Sequence, residues 1–113
     1  MIAYVEKNKP YLDPDLDLRQ LSELSGIPSH MISMLLNIHL NRNFYTFINT
    51  YRVDEAKKLL SSEGSREMNI LTIAYDSGFN SKSTFNMVFR KLEGMTPSEY
   101  RNKISSNLQY SHN

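Results

Sequence analysis

Ser29, His30, Ser33, Met34 and Asn37 follow one another at the one- and three-residue steps that gather side chains on one face of a helix. Lys82, Ser83, Asn86 and Met87, with Thr84 at the edge, form a second such group. Hydroxyl, amide and imidazole groups in these positions read arrays of donors and acceptors of the kind presented by base edges in a duplex groove. Asn86 suits adenine best, and the two methionines offer only apolar contact, for instance to a thymine methyl. Arg42, Lys82, Arg90, Lys91 and Arg101 are the cations placed to hold phosphates, helped by backbone amides at helix starts near Asp17 and Asn69.

Other chemistries find little material. The 113 residues include no cysteine, which removes disulfides, thiolate metal sites and thiol nucleophiles. His30, His39 and His112 lack carboxylates at ligand spacing. There is no Ser-His-Asp arrangement, glycine-rich phosphate loop or paired-carboxylate pocket. The expectation is therefore of no catalytic residue, no metal and no cofactor.

Positioning these groups requires helices. Hydrophobic residues make up 40% of a chain with four glycines and four prolines, which suits one compact domain, or two very small ones sharing a core, built from helices with short connections. The longest apolar run, around Met34 to Leu36, is far too short to cross a bilayer, and the mean hydropathy is -0.48. Glu6, followed by Lys7 and Lys9, reverses the charge order of an export signal.

Ile2 and Val5 fit a first helix within residues 1–9. Asp17 and Gln20 predict a capping box before a helix over 18–25 with Leu18, Leu21 and Leu24 as its stripe. After Gly26-Ile27-Pro28, Ser29 is expected to cap a second helix burying Ile32, Leu35 and Leu36, with Asn41 as a left-handed terminator. Apolar residues from Phe44 to Leu60 then predict a connecting rod of roughly 27 Å. Residues 61–68 read as a loop; Asn69 and Asn80-Ser81 are caps for the next two helices; and Thr96-Pro97-Ser98-Glu99 opens the last one. The polar stretch from Ser105 to Asn113 is expected to fray.

The chain repeats itself. Leu21, Gly26, Ile32 and Leu36 correspond to Ile73, Gly78, Phe85 and Phe89, with an offset of 52 residues at the glycines and 53 at Leu36 and Phe89. Helix, tight turn and second helix, twice over, is the helix-turn-helix pattern, in which the second helix enters the major groove. A stiff connector would hold two such helices about one DNA turn, roughly 34 Å, apart. The stripes Ile73-Ala74, Phe85, Phe89 and Leu36 read as core, and Gly78 and Gly94 as turn residues. For Arg52 and Arg101, each following a tyrosine, packing or ion pairing weighs as much as contact with DNA.

In Ile73-Ala74, Gly78-Phe79, Phe85, Phe89-Arg90-Lys91, Gly94 and Thr96 to Arg101, the chain resembles the DNA-binding domain of AraC/XylS-family bacterial transcription regulators. Phe44, Tyr51-Arg52 and Ala56 to Leu60 resemble the family's linker helix. The resemblance runs over about residues 1–104. It implies an all-α fold of about seven helices, divided into helix-turn-helix subdomains at 1–43 and 63–113, the latter with a frayed tail, joined by a linker helix at 44–62. It further implies sequence-specific double-stranded DNA as partner, RNA polymerase as a second, a dimer through a sensing domain outside this chain, no membrane contact and a cytoplasmic, nucleoid-associated location. Asn41 stands where a glycine is usual, Asn37 where lysine is common, and Met34 and Met87 where arginine is frequent.

The overall charge of +1 and pI near 8.0 do not announce a DNA binder. By region, however, residues 1–43 carry -1, 44–68 carry 0 and 69–113 carry +2, and no acid lies between Ser77 and Leu92. The expected grip is asymmetric, with the second unit anchoring electrostatically and the first using neutral contacts. The competing reading is a helical protein-interaction module without DNA binding.

Overall fold

The computed structural model describes residues 1–61 and 68–111, with side chains through 105. Among the described residues, seven α-helices occur in this order: α1 (Ile2–Asn8), α2 (Leu18–Ser25), α3 (Ser29–His39), α4 (Phe44–Ser61), α5 (Ile70–Asp76), α6 (Lys82–Glu93) and α7 (Pro97–Ser111), with a 3-10 turn at Pro10–Leu12. The expected loop falls largely on residues 62–67, which lie outside the described residues. The backbone of α7 is helical to Ser111, past the point where polar composition suggests fraying.

Local chemistry sets most of the helix ends. The Asp17 carboxylate accepts the Gln20 amide at 2.7 Å, and Asn69 accepts that of Thr72 at 2.7 Å. The Gln20 side chain, expected to complete a reciprocal box, instead donates to Asp13. Thr96 and Glu99 do form both halves of one: the Glu99 amide donates to Thr96 Oγ1 and the Thr96 amide to Glu99 Oε1. Ser29 is not a cap. Pro28 holds that place without a side-chain bond, because its fixed φ of -56° already directs the chain into α3. Asn41 takes the left-handed conformation (φ 51°) that ends α3, and the Arg42 amide returns to the Leu36 carbonyl. Asn43, an additional cap, accepts the Thr46 amide at 2.8 Å and starts α4.

Ser81 caps α6 by accepting the Thr84 amide, and its hydroxyl also bonds that of Thr84. Ser81→Ala is expected to lower the unfolding free energy by about 1 kcal/mol, measured by urea denaturation followed by circular dichroism.

Two apolar clusters lie along α4. The first joins Val5, Tyr11, Leu16, Leu21, Ile32 and Leu36 to Phe44, Phe47 and Ile48; the second joins Val53, Ala56 and Leu60 to Ile73, Ala74, Phe79, Phe85 and Phe89. One helix thus supplies a wall to both cores, which explains why its apolar residues encircle it instead of forming one stripe. Leu24, expected in the α2 stripe, is 51% exposed, because the inward face of the last turn is taken by Ser22 and Ser25, both half-buried. Lys57 ties the second unit to α4 through Glu93 at 3.2 Å and the face of Tyr100. Burial tends to lower the Lys57 pKa, but the bond and charge of Glu93 outweigh it and leave it raised.

Arg52 is 7% exposed and spends its guanidinium inside the protein. Its Nε donates to the Tyr11 carbonyl at 2.7 Å, Nη2 to the Asp13 carbonyl at 2.9 Å and Nη1 to Asn49 Oδ1 at 3.1 Å. Desolvation pushes its pKa below the ordinary arginine value, opposed by the nearby charge of Asp13. Between packing and DNA contact, Arg52 is therefore a packing residue.

Candidate nucleic-acid interface

The first recognition element is α3. Burial of Ile32 and Leu36 turns His30, Met34 and Asn37 to solvent, with Ser29 and Ser33 half-buried beside them. Met34 is 49% exposed and is followed along the helix by Ile38, also exposed, so this surface is neutral and partly apolar. Arg42 is exposed just beyond the end of α3.

The second is α6, where burial of Phe85 and Phe89 leaves Lys82, Ser83 and Met87 exposed and Asn86 half-buried. Met87 is 65% exposed. Thr84 is half-buried and its hydroxyl is engaged with the Ser81 cap, which makes it more a part of the helix start than of the reading surface. Arg90 and Lys91 are exposed in the last turn of α6, where positive charge also suits the helix dipole.

Lys82, Asn86, Met87, Arg90 and Lys91 line one open groove of about 800 Å³, closed on its other side by Ile70 at the start of α5 and by Thr96 and Ser98 at the start of α7. An amide, a thioether and three cations are thus brought to one concave surface. Thr96 and Ser98 were missed as groove residues; the capping box at Thr96 marked a helix start, but only the packing of α7 against α6 shows that this start faces the recognition helix. Arg101 is different. It is half-buried, and its Nη1 donates to the Met68 carbonyl at 2.8 Å, an anchoring contact ahead of α5.

The molecule measures 51 × 25 × 24 Å, long enough for its two units to lie about one DNA turn apart along one face of a duplex. No group of three His, Asp or Glu side chains among the described residues is arranged to hold a metal ion, and no described helix is long and apolar enough to cross a membrane.

Two helix-turn-helix units built on one shared helix, the second carrying a basic groove, define a double helix-turn-helix domain. The family model described as a helix-turn-helix domain matches residues 21–103, and the chain belongs to the AraC-type helix-turn-helix family. Its family and fold are those of transcription-regulator domains and not of enzymes. It is 26% identical over 106 residues to the HTH-type transcriptional regulator GlxA of Rhizobium meliloti, an alignment covering 94% of this chain and 32% of that protein. The chain thus spans about a third of that relative's length. Among solved structures it is similar to the C-terminal domain of the two-component response regulator yesN from Fusobacterium nucleatum (TM-score 0.70, 28% identity, 83% of this chain and 88% of that one). It also shares its fold with the DNA-binding domain of AdpA, a global transcriptional factor solved in complex with a target DNA (TM-score 0.77, 18% identity, 94% of this chain and 90% of that one).

Proposed function

We propose that this chain binds double-stranded DNA sequence-specifically, placing α3 and α6 in adjacent major grooves, as the output domain of a bacterial transcription regulator. The observation that carries this reading is the groove in which Asn86 and Met87 lie between Lys82 on one side and Arg90 and Lys91 on the other. In it, Lys82, Arg90 and Lys91 hold phosphates while Asn86, Ser83 and Met87 meet base edges, and Lys82 serves either purpose. Across the other groove, Ser29, His30, Ser33, Met34 and Asn37 read bases with Arg42 on the backbone. Thr84 and Arg101, both drawn into internal bonds, support these surfaces more than they contact DNA.

From the likeness to the transcriptional regulator GlxA and the response regulator yesN, we further propose a longer parent acting in the cytoplasm at the nucleoid, with RNA polymerase as partner and dimerisation through a separate sensing domain. Selection of bound duplexes from a random pool tests the reading. An enriched motif with two half-sites is expected, and Asn86→Ala is expected to relax one base position of the second half-site at a cost of about 1–3 kcal/mol. A pool that shows no enrichment would overturn the proposal in favour of a protein-interaction module.

A further inference from the structure

The two units share α4, yet they also touch one another directly, off the axis of that helix. The contact centres on the carbonyl oxygen of Tyr11, in the 3-10 turn of the first unit. Arg52 Nε donates to it at 2.7 Å while Nη2 of the same guanidinium holds the Asp13 carbonyl at 2.9 Å, so one rigid, planar group grips the turn at its middle residue and just past its end. Gly78, in the turn between α5 and α6 of the second unit, packs against the same place. Its φ of +98° is one that side-chain-bearing residues rarely adopt, and a Cβ there would collide with that same Tyr11 oxygen and come within 3.1 Å of Arg52 Nε and Leu12 Cα.

Packing on α4 fixes each unit to its own part of that helix, but a bend of the helix between them would still carry one unit relative to the other. A second contact away from the axis removes that freedom. Its position matters, because Gly78 lies three residues ahead of the Ser81 cap from which α6 starts. A movement of Gly78 relative to the Tyr11 turn therefore moves the second recognition helix relative to the first.

Resting on the DNA-binding function proposed above, we infer that the clasp of Arg52 and Gly78 on the Tyr11 turn sets the distance and phase between the two recognition helices. It thereby selects the half-site spacing this protein accepts. Arg52 and Gly78 are positioning residues: both are buried, and they determine specificity without reaching DNA.

Arg52→Lys tests this, because an ammonium is a single compact donor group and does not reproduce the fork that spans both carbonyls. Inserting one base pair between the half-sites of the selected duplex shifts one half-site by about 3.4 Å and turns it by roughly 35°. The natural chain is expected to lose about 30-fold in affinity on that insertion and Arg52→Lys less than about 3-fold, a ratio that a uniform loss of stability would not change. The second readout needs no DNA. The chain has no cysteine, so spin labels at Glu23→Cys in α2 and Asn102→Cys in α7, both exposed positions, report the distance between the units. A single narrow distance in the natural background, broadened by Arg52→Lys, is the expected result.

A folded Arg52→Lys variant with unchanged spacing preference and distance distribution would overturn the inference, as would a broad distribution in the natural background. If Arg52→Lys does not fold, Asn49→Ala, which removes the acceptor of Nη1, is judged by the same two readouts. Failure of the natural chain to bind any duplex would count against the DNA-binding function, while the distance measurement would still decide whether the clasp holds the units rigid.

Discussion

Replacing Lys82, Arg90 and Lys91 together by alanine weakens duplex binding by about 100-fold at physiological salt and reduces the slope of log affinity against log salt by about 3. The magnitude follows from counterion release, since each neutralised phosphate contributes a slope of about 0.9 and the three contributions add. These side chains are exposed and belong to neither core cluster, so helical content and unfolding midpoint should stay close to those of the natural chain. Titration of labelled duplex by fluorescence anisotropy at several salt concentrations supplies both quantities. An unchanged salt slope would show that these cations face water and not phosphate. The corresponding Arg42→Ala change should remove about one unit of slope at most, because a single cation neutralises a single phosphate.

The second large effect comes from inside the protein. Phe85→Ala is expected to cost about 3–5 kcal/mol of stability, a large share of the roughly 6–17 kcal/mol available to a chain of this size. Phe85 is fully buried, with its ring centroid 5.1 Å from that of Phe79 and 5.7 Å from that of Phe89. Removing it empties the centre of the second cluster and lets α6 shift beneath Asn86 and Met87. Binding to the selected duplex should be lost with it. Because Val5, Leu21, Ile32 and Leu36 belong to the other cluster, hydrogen exchange should remain slow in α2 and α3 and quicken in α5 and α6. Unfolding by guanidinium measures the stability change, and an unaltered midpoint would contradict the central place given to Phe85.

Much of this organisation is written in short-range signals. Capping at Asp17, Asn69, Ser81 and Thr96 depends on residues three positions apart, and the stripes that bury Ile32, Leu36, Phe85 and Phe89 depend on helical period; both are visible along the chain. The outward faces of α3 and α6 follow once the buried faces are known. What escaped the reading has longer reach. Arg52 bonds to carbonyls 41 and 39 residues away, so its type and its neighbours could not say whether it faces solvent or core. Arg101 likewise bonds across 33 residues to Met68. Thr96 and Ser98 enter the groove because α7 packs beside α6, and Gly78 has its role because another unit's backbone passes over it. Ser29 misled for a local reason, since proline before it already supplies the geometry that a cap would enforce.

The near-neutral total charge also takes on a definite meaning in the structure. Lys82, Arg90 and Lys91 converge on one groove, while the surface of α3 offers hydroxyl, amide, imidazole and thioether groups and no formal charge. Under the proposed function, one unit grips and reads while the other mainly reads. Under the same proposal, base contacts made without electrostatic support would give the isolated domain modest affinity, which the proposed dimer would raise.

Methylation interference on a duplex selected from a random pool tests the account most directly, because methyl groups on guanine N7 block the major groove alone. Two clusters of interference are predicted, centred about 10 base pairs apart on one face of the duplex, the second weakened selectively by the triple alanine change at Lys82, Arg90 and Lys91. Interference confined to one cluster, or none at all, would contradict two recognition helices reading adjacent major grooves.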